Sequence, residues 1–289
     1  MLVIFNPVAG RRRAAALWHV LDLLAECGVK LEVAETQSPG HAVELARAAA
    51  RAGMPMVVAA GGDGTIAEVA NGLFGSPTAL GVIPLGTANV LAREYGLARH
   101  PRGIAHMLAY RRTRRLWPGL AQMPNGARMF VQMVGVGFDG AVVHGLPPLL
   151  KRAIGRGAYV WQSAWEAALY RFPPVRLTLD GVAHEAASVV VSKGRLYGGP
   201  FLLAPKARSD EPGFQVVLFE RPGMLPALRT GAALPLGLLP RCSSVRILPA
   251  SHVEFTGTDL PPAQADGDAL PAMPRAVRDA PAPIALVVG

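Results

Sequence analysis

Residues 56–73 narrow the fold more than any other stretch. An apolar run at 56–60 opens directly onto Gly61-Gly62-Asp63-Gly64-Thr65, and Ile66, Val69, Ala70 and Leu73 then fall on one stripe of a helix. The pattern predicts strand, glycine turn, helix. Glycine lets the backbone bend sharply and come close to a ligand, because no Cβ stands in the way. The helix that follows offers free N–H groups and a partial positive charge to an anion such as phosphate. Asp63 fits such a cradle poorly, since its carboxylate repels the anion unless a metal ion or a proton transfer involves it. Taken alone, the stretch reads as a tight joint with Asp as an ordinary turn residue.

The flanking segments change that balance. Strands are expected at Leu2–Phe5, 31–35 and Ala79–Pro84, a loop at 6–13, and helices at 13–28, 41–53, 89–96 and 104–110. Strands alternating with helices across short loops predict a parallel sheet with helices on its faces. In such a sheet the loops after the strands lie along one edge, where ligands bind. Those loops are Asn6-Pro7-Val8-Ala9-Gly10, the stretch from Thr36 to Gly40, 61–65, and Leu85-Gly86-Thr87-Ala88-Asn89. Each carries glycine and a hydroxyl or amide side chain, which predicts a site for a phosphorylated ligand. No GxxxxGK[ST] loop occurs. Arg11-Arg12-Arg13 is a candidate source of cationic charge, and as the start of a helix it opposes the helix dipole.

Formal net charge is +9, with Lys only at 30, 151, 193 and 206, so the excess is almost all arginine. A basic balance favours anionic partners. Cys27 and Cys242 form no CxxC and suggest neither zinc nor a disulfide framework. No apolar stretch of about 18 residues is present to span a bilayer, and the opening Met1-Leu2-Val3-Ile4-Phe5-Asn6-Pro7 is too short for a signal-peptide core. The expectation is a cytoplasmic protein able to touch the inner face of a membrane.

Beyond residue 115 the pattern becomes short strands, expected at 127–136, 175–180, 187–192, Phe214–Phe219, 244–248 and 253–256, with Asp180-Gly181 as a hairpin turn. This predicts an antiparallel β-sandwich at 116–289 after an α/β domain at 1–115, with a cleft between them and the arginine-rich 111–115 as the crossover. A helical stretch at 149–172 mixes Lys151, Arg152, Arg156 and Arg171 with Tyr159, Trp161, Trp165, Tyr170 and Phe172. It reads either as an interfacial helix or as an ordinary packed one.

In order along the chain, several motifs resemble the diacylglycerol kinase catalytic-domain family of lipid kinases, which includes bacterial diacylglycerol kinase-like proteins and sphingosine kinases. They are Asn6-Pro7 with Gly10; Thr36 ahead of Pro39-Gly40-His41-Ala42; Gly61-Gly62-Asp63-Gly64-Thr65 with Glu68 and Asn71-Gly72; Gly86-Thr87-Ala88-Asn89; Gly135-Val136-Gly137-Phe138-Asp139; Tyr197-Gly198-Gly199 with Pro205 and Ala207; and Gln264-Ala265-Asp266-Gly267-Asp268. The resemblance implies ATP at Asn6, Pro7, Gly10, Thr36, Gly61, Gly62, Asp63, Gly64, Thr65 and Thr87, and phosphoryl transfer from ATP-Mg2+ to a lipid hydroxyl. Asp63 would hold Mg2+ or orient the hydroxyl. The family motif ends Asp-Gly-Glu, its last carboxylate taking the hydroxyl proton; Asp268 would act here, with Asp266 beside it, although Asp is one methylene shorter. A family loop carrying structural Mg2+ corresponds to Arg208-Ser209-Asp210-Glu211-Pro212-Gly213, where Pro212 intervenes and Asp210 or Glu211 would be the ligand. Lys193 stands where the family often has Asn. The implied partners are a lipid and a peripheral membrane surface, not nucleic acid, and a homodimer is compatible with the sequence.

Two other readings remain open: an NAD kinase-like enzyme, which shares a GGDG loop, and a non-catalytic nucleotide- or lipid-binding member of the fold. Gly135 to Gly140 also fits GxGxxG, but the Gly-Leu-Pro-Pro that follows breaks the βαβ unit a dinucleotide fingerprint needs.

Overall fold

The computed structural model describes residues 1–10, 14–145, 156–257 and 261–289. It divides into two compact units, Met1–Trp117 with Pro281–Gly289, and Pro118–Ala280.

The first unit is built on β1 (Leu2–Phe5), β2 (Glu32–Glu35), β3 (Met56–Gly61) and β4 (Ala79–Pro84), all parallel. The apolar runs of β1 and β3 are buried throughout, as strands covered on both faces must be. The edge strand β2 exposes Glu32 and Glu35, and charge at an edge discourages pairing with another chain. Between the strands lie α1 (Pro7–Gly10), α2 (Ala14–Glu26), α3 (His41–Arg51), α4 (Asp63–Leu73), α5 (Val90–Glu94) and α6 (Pro101–Tyr110). The stripe Leu17, Val20, Leu21 and Leu24 of α2 is buried, following its 3.6-residue period. Helices α3 and α4 approach closely because a Cβ on Gly72 would lie 2.5 Å from the Val43 carbonyl.

Three details differ from the sequence expectation. The stretch 6–13 is not all loop, since α1 forms where Asn6 accepts from the Val8 amide at 3.0 Å and Pro7 presets the first helical φ. Residues 11–13 lie outside the described residues. The arginine-rich 111–115 is not a free crossover but leads into β5 (Thr113–Leu116), an antiparallel edge strand. Its neighbour is β20 (Ile284–Val287), which also pairs parallel with β4, giving the order β2-β1-β3-β4-β20-β5.

The second unit is a sandwich of two antiparallel six-stranded sheets. One is ordered β10-β9-β16-β19-β6-β7, from Val182–Ala186, Val175–Leu179, His252–Thr256, Ala276–Asp279, Gly119–Met123 and Gly126–Phe130. The other is ordered β15-β14-β11-β8-β17-β18, from Val245–Ala250, Phe214–Phe219, Ser188–Ser192, Met133–Gly137, Ala263–Ala265 and Asp268–Ala269. Val134, Val136, Val189, Val191, Val216 and Leu218 face the sandwich core, while Met133, Val190 and Val217 enter a second apolar cluster on the opposite face. Both faces are covered, so these strands read as unbroken apolar runs and conceal their alternation. The expected single strand at 127–136 is therefore two, β7 and β8, in different sheets. A short hairpin, β12 (Leu196–Tyr197) with β13 (Phe201–Leu202), completes the strands.

Helix α7 (Phe138–Gly145) directly follows Gly135-Val136-Gly137, but those residues are the end of β8, which lies among antiparallel neighbours, so no dinucleotide-type βαβ unit exists there. Of the 149–172 stretch the structure describes α8 (Arg156–Leu169); Lys151 and Arg152 lie outside the described residues. Tyr170 and Phe172 pack with Phe138, at ring separations of 6.0 and 5.3 Å from it, whereas Trp165 and Leu169 are exposed. A further helix, α9 (Met224–Ala233), precedes β15.

Candidate functional site

In the first unit, the loops at the carboxyl ends of β1, β2 and β4 are all tied to residues 61–68, which run on from the end of β3. Asn6 Nδ2, after β1, donates to Thr65 Oγ1 at 3.0 Å. The Gly40 amide, after β2, donates to Glu68 Oε1 at 3.0 Å. The Leu85 and Gly86 amides, after β4, donate to the Gly61 carbonyl at 2.9 and 3.2 Å. In the first turn of α5, just past that loop, the Leu91 amide donates to Asp63 Oδ1 at 3.3 Å. Burial raises the Asp63 carboxyl above its ordinary value, against the pull of the Leu91, Val90 and Asn89 amides. Asp63 thus fastens the entry of α5 to the entry of α4.

The glycines are required by how closely the loops approach one another. A Cβ on Gly86 would lie 2.6 Å from Gly62 Cα, and one on Gly61 would lie 2.5 Å from Thr65 Oγ1. Gly61 and Thr65 are buried, Gly62, Asp63, Gly64 and Thr36 half-buried, and Thr87 exposed. Pro7 and Gly10 are the first and last residues of α1. The Thr36 amide is held by the Phe5 carbonyl at 2.8 Å. Asn89, 4% exposed, donates from Nδ2 to the Gly86 carbonyl at 2.8 Å, while its Oδ1 is buried without a hydrogen-bond partner among the described residues. An edge with half-buried glycines, an exposed hydroxyl and an unsatisfied oxygen has the means to hold a polar ligand.

In the second unit, Asp266 and Gly267 are the turn of the β17–β18 hairpin, with φ of 50° and 85° and Ala265 opposite Asp268. This is the two-residue turn that favours Asp-Gly. The Asp266 carboxylate accepts from the Val131, Gln132 and Met133 amides at 2.7, 2.8 and 3.0 Å. Burial, with the Asp268 charge adding, pushes its carboxyl up to about 6 despite those three donors. The Asp268 side chain is 45% exposed and lies 3.5 Å from Arg128 Nη2. One carboxylate is bound inward, and the other is open to solvent beside Arg128.

Behind the turn lies a buried polar chain to which the sequence reading gave no role. Asp139, 7% exposed, accepts from the Tyr197 hydroxyl and from Gln264 Nε2 at 2.7 Å, and Gln264 Oε1 accepts from the Gly267 amide at 2.8 Å. All three residues stand in the motifs quoted above, and Gly135 makes room for them, since a Cβ there would collide with Asp139 Oδ2.

In the expected metal loop, Asp210 and Glu211 turn to Arg208, at 3.6 and 2.8 Å. The Glu211 and Gly213 carbonyls instead accept from Lys193 Nζ, both at 2.9 Å.

Residues 1–119 match the diacylglycerol kinase catalytic domain family, and residues 132–288 match the YegS C-terminal NAD kinase beta sandwich-like domain family. The chain belongs to the diacylglycerol kinase and YegS-like lipid kinase family. A Chromohalobacter salexigens protein named "Probable lipid kinase YegS-like" is 34% identical over 192 residues, 64% of this chain and 60% of that protein. A Mycobacterium tuberculosis diacylglycerol kinase is 28% identical over 285 residues, covering 96% of this chain and 91% of that one. The crystal structure of a provisionally assigned diacylglycerol kinase from Bacillus anthracis has a TM-score of 0.81 at 21% identity, covering 100% of this chain and 94% of that one. That likeness establishes the α/β domain and β-sandwich architecture of this family member. Among the described residues no helix is long and apolar enough to cross a membrane.

Proposed function

We propose that this family member transfers the γ-phosphate of ATP to the hydroxyl of a lipid such as diacylglycerol or a sphingoid base. The observation that carries the reading is the fastening of three strand-end loops, those after β1, β2 and β4, to residues 61–68 at the end of β3 and beyond in the first unit. Phosphoryl transfer needs positioning and charge neutralisation more than covalent chemistry, which suits fixed loops rich in backbone donors. Asn6, Pro7, Gly10, Thr36, the 61–65 loop and Thr87 would hold the nucleotide. Mg2+, when bound with it, supplies charge neutralisation at the phosphates. The buried unpaired Asn89 Oδ1 and the carboxylate of Asp63 are oxygen donors suited to a hard cation or its waters.

In the reaction the lipid hydroxyl oxygen attacks the γ-phosphorus, the bond to the bridging oxygen breaks, and ADP leaves. The hydroxyl proton passes to Asp268, the more exposed carboxylate of the hairpin. Asp266 fixes the turn that carries it, and Asp63 fixes the loop after β4. Met224, Leu225, Leu228, Leu236 and Leu238 are exposed apolar residues in and after α9, and Arg229 lies among them. Such a surface suits contact with a bilayer presenting the lipid.

Incubation of the protein with ATP-Mg2+ and a lipid panel, read by mass spectrometry, tests the reading. One lipid should gain a phosphate. Phosphorylation of NAD but of no lipid would point to the NAD kinase-like alternative, and ATP binding without any transfer to a binding-only protein.

A further inference from the structure

Lys193, the residue after β11, is fully buried, an unusual place for an ammonium unless it is paired. Its Nζ donates to the Glu211 carbonyl at 2.9 Å, the Gly213 carbonyl at 2.9 Å and Asp279 Oδ1 at 2.7 Å. Three protons meet three oxygens, so the group is saturated. The Phe214 ring lies 4.9 Å from Nζ, close enough to attract the same charge. Asp279 Oδ2 accepts from the Gly213 amide at 2.5 Å, so one carboxylate holds both the cation and the loop it organises. Two loop carbonyls and a carboxylate converging on one point form a typical oxygen site for a hard cation. Here the chain supplies that cation itself. Asp210 and Glu211, the side chains from which a metal ligand was expected, are turned to Arg208.

We propose that the Lys193 ammonium is a built-in cation that organises the 208–213 loop in place of a divalent ion, so that this loop needs no metal. The test requires no turnover, and its failure is separate from any failure of the kinase reading. Hydrogen exchange of peptides covering 208–213 is followed in the full, nucleotide-free chain, with chelator and with millimolar Mg2+ or Ca2+. The wild-type loop should be equally protected in both. Lys193→Ala should exchange roughly a hundredfold faster in chelator, because it leaves a carboxylate and two carbonyls without their cation, and should regain protection when Mg2+ or Ca2+ is added. Wild-type protection that rises saturably with either ion would overturn the proposal. So would a Lys193→Ala loop as protected as wild type in chelator, or one that neither ion restores. Should that variant fail to fold, the wild-type arm decides alone.

Discussion

Asp266 and Asp268 share a hairpin yet meet different surroundings, and the contrast predicts different consequences of removing each. Asp268→Asn should lower phosphoryl transfer by roughly 10²–10⁴-fold, the range for a lost general base, with the melting temperature nearly unchanged because the side chain is 45% exposed. Asp268→Glu should keep most of the activity. An Asp268→Asn enzyme as fast as wild type would remove its assigned role. Asp266→Ala strands the Val131, Gln132 and Met133 amides, each worth about 1–3 kcal/mol when buried without a partner. Its signature is a lower melting temperature. The folded Asp266 carboxyl sits at about 6 and its ordinary value at 3.8, so between those values the native state holds a proton the unfolded chain has lost. Stability from this group is complete below about pH 4 and lost as pH rises through 6. Denaturant titrations across that window should therefore show the gap between wild type and Asp266→Ala narrowing as pH rises.

The element that organises the first unit is the β3–turn–α4 segment, which every other strand-end loop touches. Gly86→Ala drives a Cβ to 2.6 Å from Gly62 Cα, backbone against backbone with no flexible side chain to yield. Overpacking of this kind costs about 1–3 kcal/mol, and parting the two loops should raise the KM for ATP more than it lowers kcat; steady-state kinetics at saturating lipid would read this. Much of that segment was legible beforehand, because glycine turns and 3.6-residue apolar stripes are local signals, and Ile66, Val69, Ala70 and Leu73 are buried where their spacing put them. What was not legible had non-local causes. The β7–β8 break is hidden where apolar residues face two cores. The return of β20 to the first sheet has no mark in Ile284–Val287, an apolar run that any sheet would accept. At the site, the anchoring of Asp63, the inward hold on Asp266 and the Tyr197–Asp139–Gln264 chain depend on partners far away in sequence, for which spacing carries no signal.

At the scale of the whole molecule, two properties lend themselves to test. The exposed leucines of α9 make the proposed contact with a bilayer testable: Leu225→Asp with Leu228→Asp should weaken co-sedimentation with anionic vesicles while activity on detergent-solubilised lipid persists. Equal sedimentation of variant and wild type would assign that surface elsewhere. The division of the chain is the second property, since residues 118–280 are inserted in sequence between β5 and β20. Deleting residues 281–289 uncovers the β4 edge and takes from β5 its paired neighbour. Thermal unfolding should then lose the cooperative transition of the first unit while the β-sandwich, complete within 118–280, keeps its own. The same connectivity orders events at the ribosome: the portion synthesised first is the last to be finished, because β4 and β5 wait for a strand translated after the entire sandwich. A nascent chain halted after β5 and before residue 284 leaves the β4 edge of the loop-bearing sheet open to chaperones and proteases until β20 is translated.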